Sequence, residues 1–421
     1  MWKILNTLKI LAIGDTADNN HTLKKFAKKS EIDLIDFPKK GDTKISNVQA
    51  QREYFDSLLV TKQVKKIKEI KDNYDLCIVL SWAAARVAYL SGINYIMYFV
   101  GSDIGNPPFV KNNIPIYTDF KKPLPDLNWV ERNFYKKVFD SAVACIASNF
   151  DTFEFLKKHR HDGIRFDRMF VDTTLFNDKI KSINRPKKKF TFLMLGRIGK
   201  AKGVDIIWEA LKLCKTDFEV LQVEWFMQRT EEEKKDNEIL IKNMPKQVKL
   251  IPLIKREELG RYIVWSDAIM GQMYAGGTGA VERDSAFCKK VVIHYVDTSK
   301  PSLIDGNEII PPFEPKSKDP RVIAELIDKI VTSKEYREKL IQEQYDYIKK
   351  LSDPDVVIKD WENLFEKMIK KYPSINRKDS NLGLKFQNIL SNLVENLIYK
   401  RTMKEKNIQA WGKENYELLT K

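Results

Sequence analysis

Two successive series of alternating apolar runs and amphipathic stretches predict an α/β fold of two doubly wound domains facing across a cleft, with helices closing the chain. The first series spans Leu8 to Ala147 and the second Phe190 to His294. Such alternation makes parallel sheets covered by helices. Between the series, Asn177–Lys189 is poor in apolar residues and holds one proline and several lysines, which marks a linker. Two glycine-bearing loops fall at strand ends, where open α/β sheets bind ligands.

The elements follow in order. Leu8–Ile13 reads as a strand ending at Gly14-Asp15, with a helix over about His21 to Ser30. Ile32–Phe37 is a second strand, closed by Pro38, and Lys44 to Lys71 reads as one long helical stretch. Leu76–Leu80 and Asn94–Val100 are strands flanking a helix near Ala83–Leu90; residues 105–127 read as loop. A helix near Trp129–Phe139 leads to strand Ala142–Ala147. In the second series the strands are Phe190–Leu195, Glu219–Val223, Val248–Ile251, Ala268–Met270 and Val291–His294. After Pro320 the chain is helical to about Tyr372. These signals divide the chain into an N-terminal domain (1–176), a linker (177–189), a C-terminal domain (190–350), a closing helix (351–373) and a basic helical extension (374–421). In the extension Leu382, Phe386, Ile389, Leu390, Leu393, Leu397 and Ile398 recur at helical spacing, as a stripe packed on the protein, a second subunit or a membrane interface.

Composition bounds the rest. At 421 residues, 43% hydrophobic and 31% charged, the chain is globular rather than disordered. Its net charge of +15 is spread evenly: residues 1–185 hold 30 cations against 22 anions, and the remainder 43 against 36. A basic tail therefore does not account for it. Cys77, Cys145, Cys214 and Cys288 are far apart in sequence, which disfavours a zinc site of paired cysteines and suits a reducing compartment. No run of about 18 apolar residues appears, and the short apolar start lacks a cleavage site, so neither a spanning helix nor a signal peptide is expected.

The chemistry concentrates in two loops. Gly196-Arg197-Ile198-Gly199-Lys200-Ala201-Lys202-Gly203 joins an apolar strand to the helical pattern Val204–Leu213. Open amides and the dipole at a helix start favour an anion, and three cations add formal charge. A guanidinium directly after the strand suits a diphosphate. The plainer alternative is a lysine-rich surface turn. The second loop, Gly271 to Gly279, packs Gly276, Gly277 and Gly279 into four residues, so a backbone can approach a ligand closely. Thr278 is placed to cap the following helix, and Glu282 one turn further could take both hydroxyls of a ribose or merely complement the helix dipole.

Together these features resemble the donor site of retaining glycosyltransferases of the GT-B fold, the large family usually numbered four. In that family a Gly-Arg strand end and a Lys-Gly helix start hold the diphosphate, matching Gly196-Arg197 and Lys202-Gly203, and a glutamate matching Glu282 holds the ribose. Val171–Phe176, Val100–Ile104, Ser148 and the closing helices resemble further family segments in the right order. The chain departs from the pattern at Tyr274, where the family has its first glutamate, at Val100, where it has a histidine, and at Cys288-Lys289-Lys290, where a Gly-x-Pro is usual. The resemblance implies a nucleoside diphosphate sugar as donor, a retained anomeric configuration and no catalytic metal or other cofactor. Catalytic roles fall to Arg197, Lys202 and Asp103; donor binding falls to Gly14, Gly196, Gly203, Gly277, Thr278, Gly279 and Glu282; His21 and Asp15 lie on the acceptor side. For His21 a surface helix cap, and for Asp103 a turn-forming aspartate, are the plainer alternatives. Asp353-Pro354-Asp355 has the look of a metal motif but lies among the closing helices.

The acceptor expected is a glycan or a polyisoprenoid-linked lipid, in a cytoplasmic protein docked on the inner face of the membrane. Lys24, Lys25, Lys28, Lys29, Lys39-Lys40 and the lysines of 62–71 would meet anionic lipid there, or form a solvated face. A nucleotide-sugar binder without catalysis is the rival reading. Nucleic acid is not expected as a partner, because aromatics do not interleave with the lysines.

Overall fold

The structure, a computed structural model, describes residues 7–37, 53–57, 59–111, 127–226, 231–373, 386 and 393. The chain divides into two compact units. The first holds the described residues up to Phe166 and those from Ile358 on; the second runs from Asp167 to Val357.

The first unit is a sheet of seven parallel strands in the order β3-β2-β1-β4-β5-β6-β7. They are β1 (Leu8–Ile13), β2 (Ser30–Asp36), β3 (Glu53–Tyr54), β4 (Leu76–Val79), β5 (Tyr95–Phe99), β6 (Ala144–Ala147) and β7 (Ile164–Arg165). β4, β5 and β6 are buried along their whole length, as parallel strands covered on both faces must be. The intervening helices are α1 (Asn19–Phe26), α2 (Val60–Ile70), α3 (Trp82–Ser91), α4 (Ser102–Gly105), α5 (Trp129–Asp140) and α6 (Phe150–Lys157). The long helix expected over 44–71 is corrected. Phe55 N–H continues the β2 pairing to Asp36 O, so 53–54 is strand, and helix begins only at Val60. From there Val60, Gln63, Val64 and Ile67 give the buried face its helical spacing. Residues 44–52 lie outside the described set. The first helix ends earlier than expected, because Ala27 turns extended.

The second unit has a five-stranded parallel sheet in the order β10-β9-β8-β11-β12. Its strands are β8 (Phe190–Met194), β9 (Phe218–Val223), β10 (Val248–Ile251), β11 (Ala268–Met270) and β12 (Val291–Ile293). Its helices are α7 (Val204–Leu213), α8 (Glu231–Lys242), α9 (Arg256–Trp265) and α10 (Ala280–Phe287). A hairpin of β13 (Ser302–Ile304) and β14 (Asn307–Ile309) follows, turning at Asp305-Gly306 with positive φ at both residues. The chain closes on α11 (Pro320–Thr332), α12 (Lys334–Ser352) and α13 (Pro354–Lys371). Cys77, Cys145 and Cys288 are buried, Cys214 is half-buried, and all four are free. Of the C-terminal extension only Phe386 and Leu393 are described, both helical and exposed; the rest of the expected stripe lies outside the described residues.

Candidate functional site

β8 and β11 are hydrogen-bonded neighbours, pairing Phe192 with Ala268 and Leu193 with Ile269. The strand order reverses between them, with β9 and β10 on one side and β12 on the other. Loops leaving adjacent strands at such a point diverge and open a crevice at the carboxyl edge. Both loops singled out in the sequence leave there.

The first loop runs from Leu195 through a tight turn, Lys200–Lys202, to Gly203, the N-cap of α7. Gly203 has φ +69°, and a Cβ on it would meet the Met273 carbonyl carbon at 2.8 Å. Both the left-handed backbone and the close approach demand glycine. Met273 N–H donates to Lys202 O at 2.9 Å, so the second loop is tied to the first. No side chain caps α7, which leaves its first amides open toward an anion.

In the second loop the Glu282 carboxylate folds back beneath the glycines. Its Oε1 accepts the Gln272 N–H at 3.0 Å, and a Cβ at Gly271 or Gly279 would come within 2.4 or 2.5 Å of its oxygens. These glycines make room for the carboxylate; Gly277 has nothing within 4 Å of a Cβ, and neither has Gly196 in the first loop. The expected cap is corrected: Gly279, not Thr278, is the N-cap of α10, and no side chain closes that end.

Arg197, Lys202 and Glu282 share one electrostatic neighbourhood. Burial lowers the Lys202 ammonium below the ordinary lysine range; Glu282 opposes that shift and Arg197 adds to it. The Arg197 guanidinium lies 4.9 Å from the centroid of the Trp225 ring, a cation–π contact. Lys200 is turned elsewhere, its ammonium 3.0 Å from Asp236 Oδ1.

Two residues the sequence reading passed over complete the site. Gln272 is its hub: its Oε1 lies 3.3 Å from the Lys202 ammonium, its Nε2 donates to Gly277 O at 2.8 Å, and its own N–H holds Glu282. His294, just past β12 and fully buried, places Nδ1 3.3 Å from Gln272 O and packs on Phe313. Its position at a strand end was the available signal. Burial lowers the His294 pKa, so the folded protein holds it neutral. A histidine that must charge on unfolding contributes stability above its unfolded value, about 6.5, that is lost as pH falls. The wild-type Tm is therefore expected to drop more than that of His294→Leu between pH 7.5 and 5.5; parallel drops by calorimetry would refute it.

The remaining candidates lie in the first unit, outside this two-loop cluster. Gly14, at φ +75°, approaches Leu80 O so closely that a Cβ would meet it at 2.8 Å. Asp15 is buried, and its carboxylate accepts the N–H groups of Asn20 at 3.0 Å and His21 at 3.2 Å, holding the start of α1. His21 is thus the third residue of α1 rather than its first. Asp103 sits in α4, where its Oδ1 accepts the Gly101 N–H at 3.1 Å; burial raises its pKa and nearby amides oppose that.

Among the described residues no group of three His, Cys, Asp or Glu could hold a metal ion. Asp353 Oδ1 accepts the Asp355 N–H at 3.0 Å, shaping the start of α13. No helix among them is long and apolar enough to cross a membrane. Several lysines of the expected basic face carry partners: Lys24 lies 3.8 Å from Asp33 and Lys66 2.6 Å from Glu53. Lys39 and Lys40 are outside the described residues.

Residues 176–347 match the family model described as Glycosyl transferases group 1. Solved structures share the fold over most of the chain. Anabaena Alr3699/HepE in complex with UDP and glucose aligns with a TM-score of 0.60 at 12% identity, covering 86% of this chain and 100% of that one. Sucrose-phosphate synthase from Thermosynechococcus elongatus gives the same TM-score, 0.60, the same 12% identity, and the same 86% and 100% coverage. A glycosyltransferase from Rickettsia africae ESF-5 aligns with 0.59 at 14% identity, covering 87% and 99%. None of the curated protein sequences compared matches this chain. The fold is GT-B, two Rossmann-like sheets with their helices.

Proposed function

We propose that this chain is a glycosyltransferase that moves a hexose from a nucleoside diphosphate sugar to a glycan or lipid-linked acceptor, retaining the anomeric configuration and needing no metal. The observation that carries the proposal is the meeting of Arg197, Lys202 and Glu282 at the carboxyl edge of β8 and β11, beside two uncapped helix starts. The matched family model covers this segment, and the Anabaena neighbour binds UDP and glucose.

The chemistry follows from where charge develops. The bond from the anomeric carbon to the diphosphate oxygen breaks, and its electron pair leaves with the diphosphate. The acceptor oxygen bonds to the same carbon from the same face, and its proton passes to the departing phosphate oxygen. Arg197, Lys202 and the open amides of α7 stabilise the diphosphate more in the transition state than in the ground state. Glu282, held by the Gln272 amide, presents its carboxylate to ribose hydroxyls. Asp103 shares the catalytic role, and His21 and Asp15, just past the end of β1, serve the acceptor side. The four free cysteines suit a cytoplasmic site of action, and the lysines of α1 and α2 suit docking on anionic lipid.

A thermal-shift screen of UDP-, GDP-, ADP- and dTDP-sugars tests the donor. A ligand at a hundred times its Kd adds about 2.7 kcal/mol of stability. One nucleotide class is expected to raise Tm by several degrees, and Arg197→Ala to abolish most of that shift; an unchanged shift in the variant removes Arg197 from the site. Tyr274 in place of a glutamate favours a second reading, a binder without turnover. Donor binding with neither hydrolysis nor transfer would select it.

A further inference from the structure

The rim of the proposed donor site holds a cation that the diphosphate chemistry does not use. Tyr274 follows Met273, the residue bonded to Lys202 O, and the Tyr295 N–H donates to Gln272 O at 3.1 Å. The Tyr295 ring edge lies 3.1 Å from where a Cβ on Gly276 would stand. Both tyrosines are therefore anchored to the glycine loop. Two Cα steps from Gln272 place the Tyr274 backbone within about 8 Å of the residue that touches Lys202.

Over these two rings stands Lys318, its ammonium 4.9 Å from the Tyr274 centroid and 4.7 Å from that of Tyr295. Two neighbouring lysines and one carboxylate are engaged elsewhere. Lys300 pairs with Asp297 at 3.6 Å. Lys316 donates to Pro311 O at 2.8 Å and Phe313 O at 2.6 Å. Asp319 accepts the Arg321 N–H as the cap of α11. Among the described residues no carboxylate lies within ion-pair distance of Lys318, although the residue is exposed. An ammonium held over two π faces is placed, so an anion reaching it meets a fixed charge rather than a freely moving one. The diphosphate is already served by Arg197 and Lys202, and a neutral hexose would leave this charge unmatched.

Resting on the proposed donor site, we infer that the sugar transferred is acidic, a uronic acid whose carboxylate is read by Lys318 on the platform of Tyr274 and Tyr295. Binding titrations on the full chain compare UDP-glucuronate with UDP-glucose, GDP-mannuronate with GDP-mannose, and UDP and GDP alone. In the pair carrying the accepted base, the uronate is expected to bind at least tenfold more tightly than its neutral partner. Lys318→Gln, an exposed substitution, should erase that preference while holding the affinity for the bare nucleotide within twofold. Equal binding of the two sugars by the wild type overturns the inference, as does a preference that survives Lys318→Gln. Equal weakening of every ligand, UDP or GDP included, assigns Lys318 to the diphosphate and overturns it too. If UDP or GDP binds without sugar preference, this inference alone falls; if the wild type binds no nucleotide, the donor-site reading falls and takes it along.

Discussion

Lys202→Met is expected to lower kcat for sugar transfer by at least a hundredfold, with a much smaller change in donor KM. The ammonium is carried at the end of a turn that is held on Met273, by the close approach of Gly203 and by Lys202 O accepting the Met273 N–H. Those backbone links survive the substitution, so the loop keeps its place while the charge is lost. The field of the ammonium acts on the diphosphate most strongly as the glycosidic bond breaks, and removing one such donor costs about 3 kcal/mol, two or more decades in rate. An interaction made chiefly in the transition state shows as a loss in kcat; one made equally with bound donor would show as a rise in KM. The pH dependence supplies a second readout. Because burial lowers the Lys202 pKa, the alkaline limb of kcat/KM in the wild type should fall below the ordinary lysine range, and Lys202→Arg should move it up. A Lys202→Met variant within threefold of wild-type kcat would take the catalytic role away from this residue.

The two loops were legible because their signals are local: an apolar strand, a glycine, a cation and a helix start all lie within a dozen residues. What local signals could not tell was which cations converge. Lys200 and Lys202 share one turn, yet Lys200 meets Asp236 while Lys202 meets Gln272, a partner seventy residues away that only the pairing of β8 with β11 brings near. Thr278 has the chemistry of a cap, but the Glu282 side chain lies against Gly279, so the helix starts one residue later with no hydroxyl over it. Within the described part of the lysine-rich stretch 44–71 the helical period is used only from Val60 on, because Phe55 is drawn into the core beside β2. The β13–β14 hairpin was missed although Asp305-Gly306 is a strong turn signal, its strands being only three residues each. His294 and Gln272 were invisible as site residues for the same reason as Lys202's partner: their meaning is a tertiary fact.

Glu362→Ala is expected to destabilise the first unit strongly. Glu362 projects from α13 and is 3% exposed, next to Trp361, whose ring meets Tyr98 at 4.9 Å and Phe166 at 4.7 Å. Its Oε1 accepts the N–H groups of Lys28 at 2.8 Å, Lys29 at 2.6 Å and Ser30 at 3.1 Å, and the Ser30 hydroxyl at 3.1 Å. One carboxylate oxygen thus serves three successive amides and a hydroxyl where the turn after α1 enters β2. Alanine removes the charged acceptor from part-buried amides at Lys28 and Lys29 and from buried donors at Ser30, and bonds to a charged acceptor are the costly ones to lose, so the expected loss is about 3 kcal/mol. Glutamine keeps an acceptor oxygen of the same reach and should cost less than half as much. The effect is local before it is global: amide hydrogen exchange at Lys28, Lys29 and Ser30 should accelerate about a hundredfold in Glu362→Ala, with the central strands β4 and β5 changed least. If exchange at those three amides is unchanged while Tm falls, the loss comes from packing around Trp361 and the turn owes nothing to Glu362. Because Arg197, Lys202 and Glu282 belong to the other unit, nucleotide binding by Glu362→Ala should persist below its melting transition, which separates a folding defect from a defect in the site.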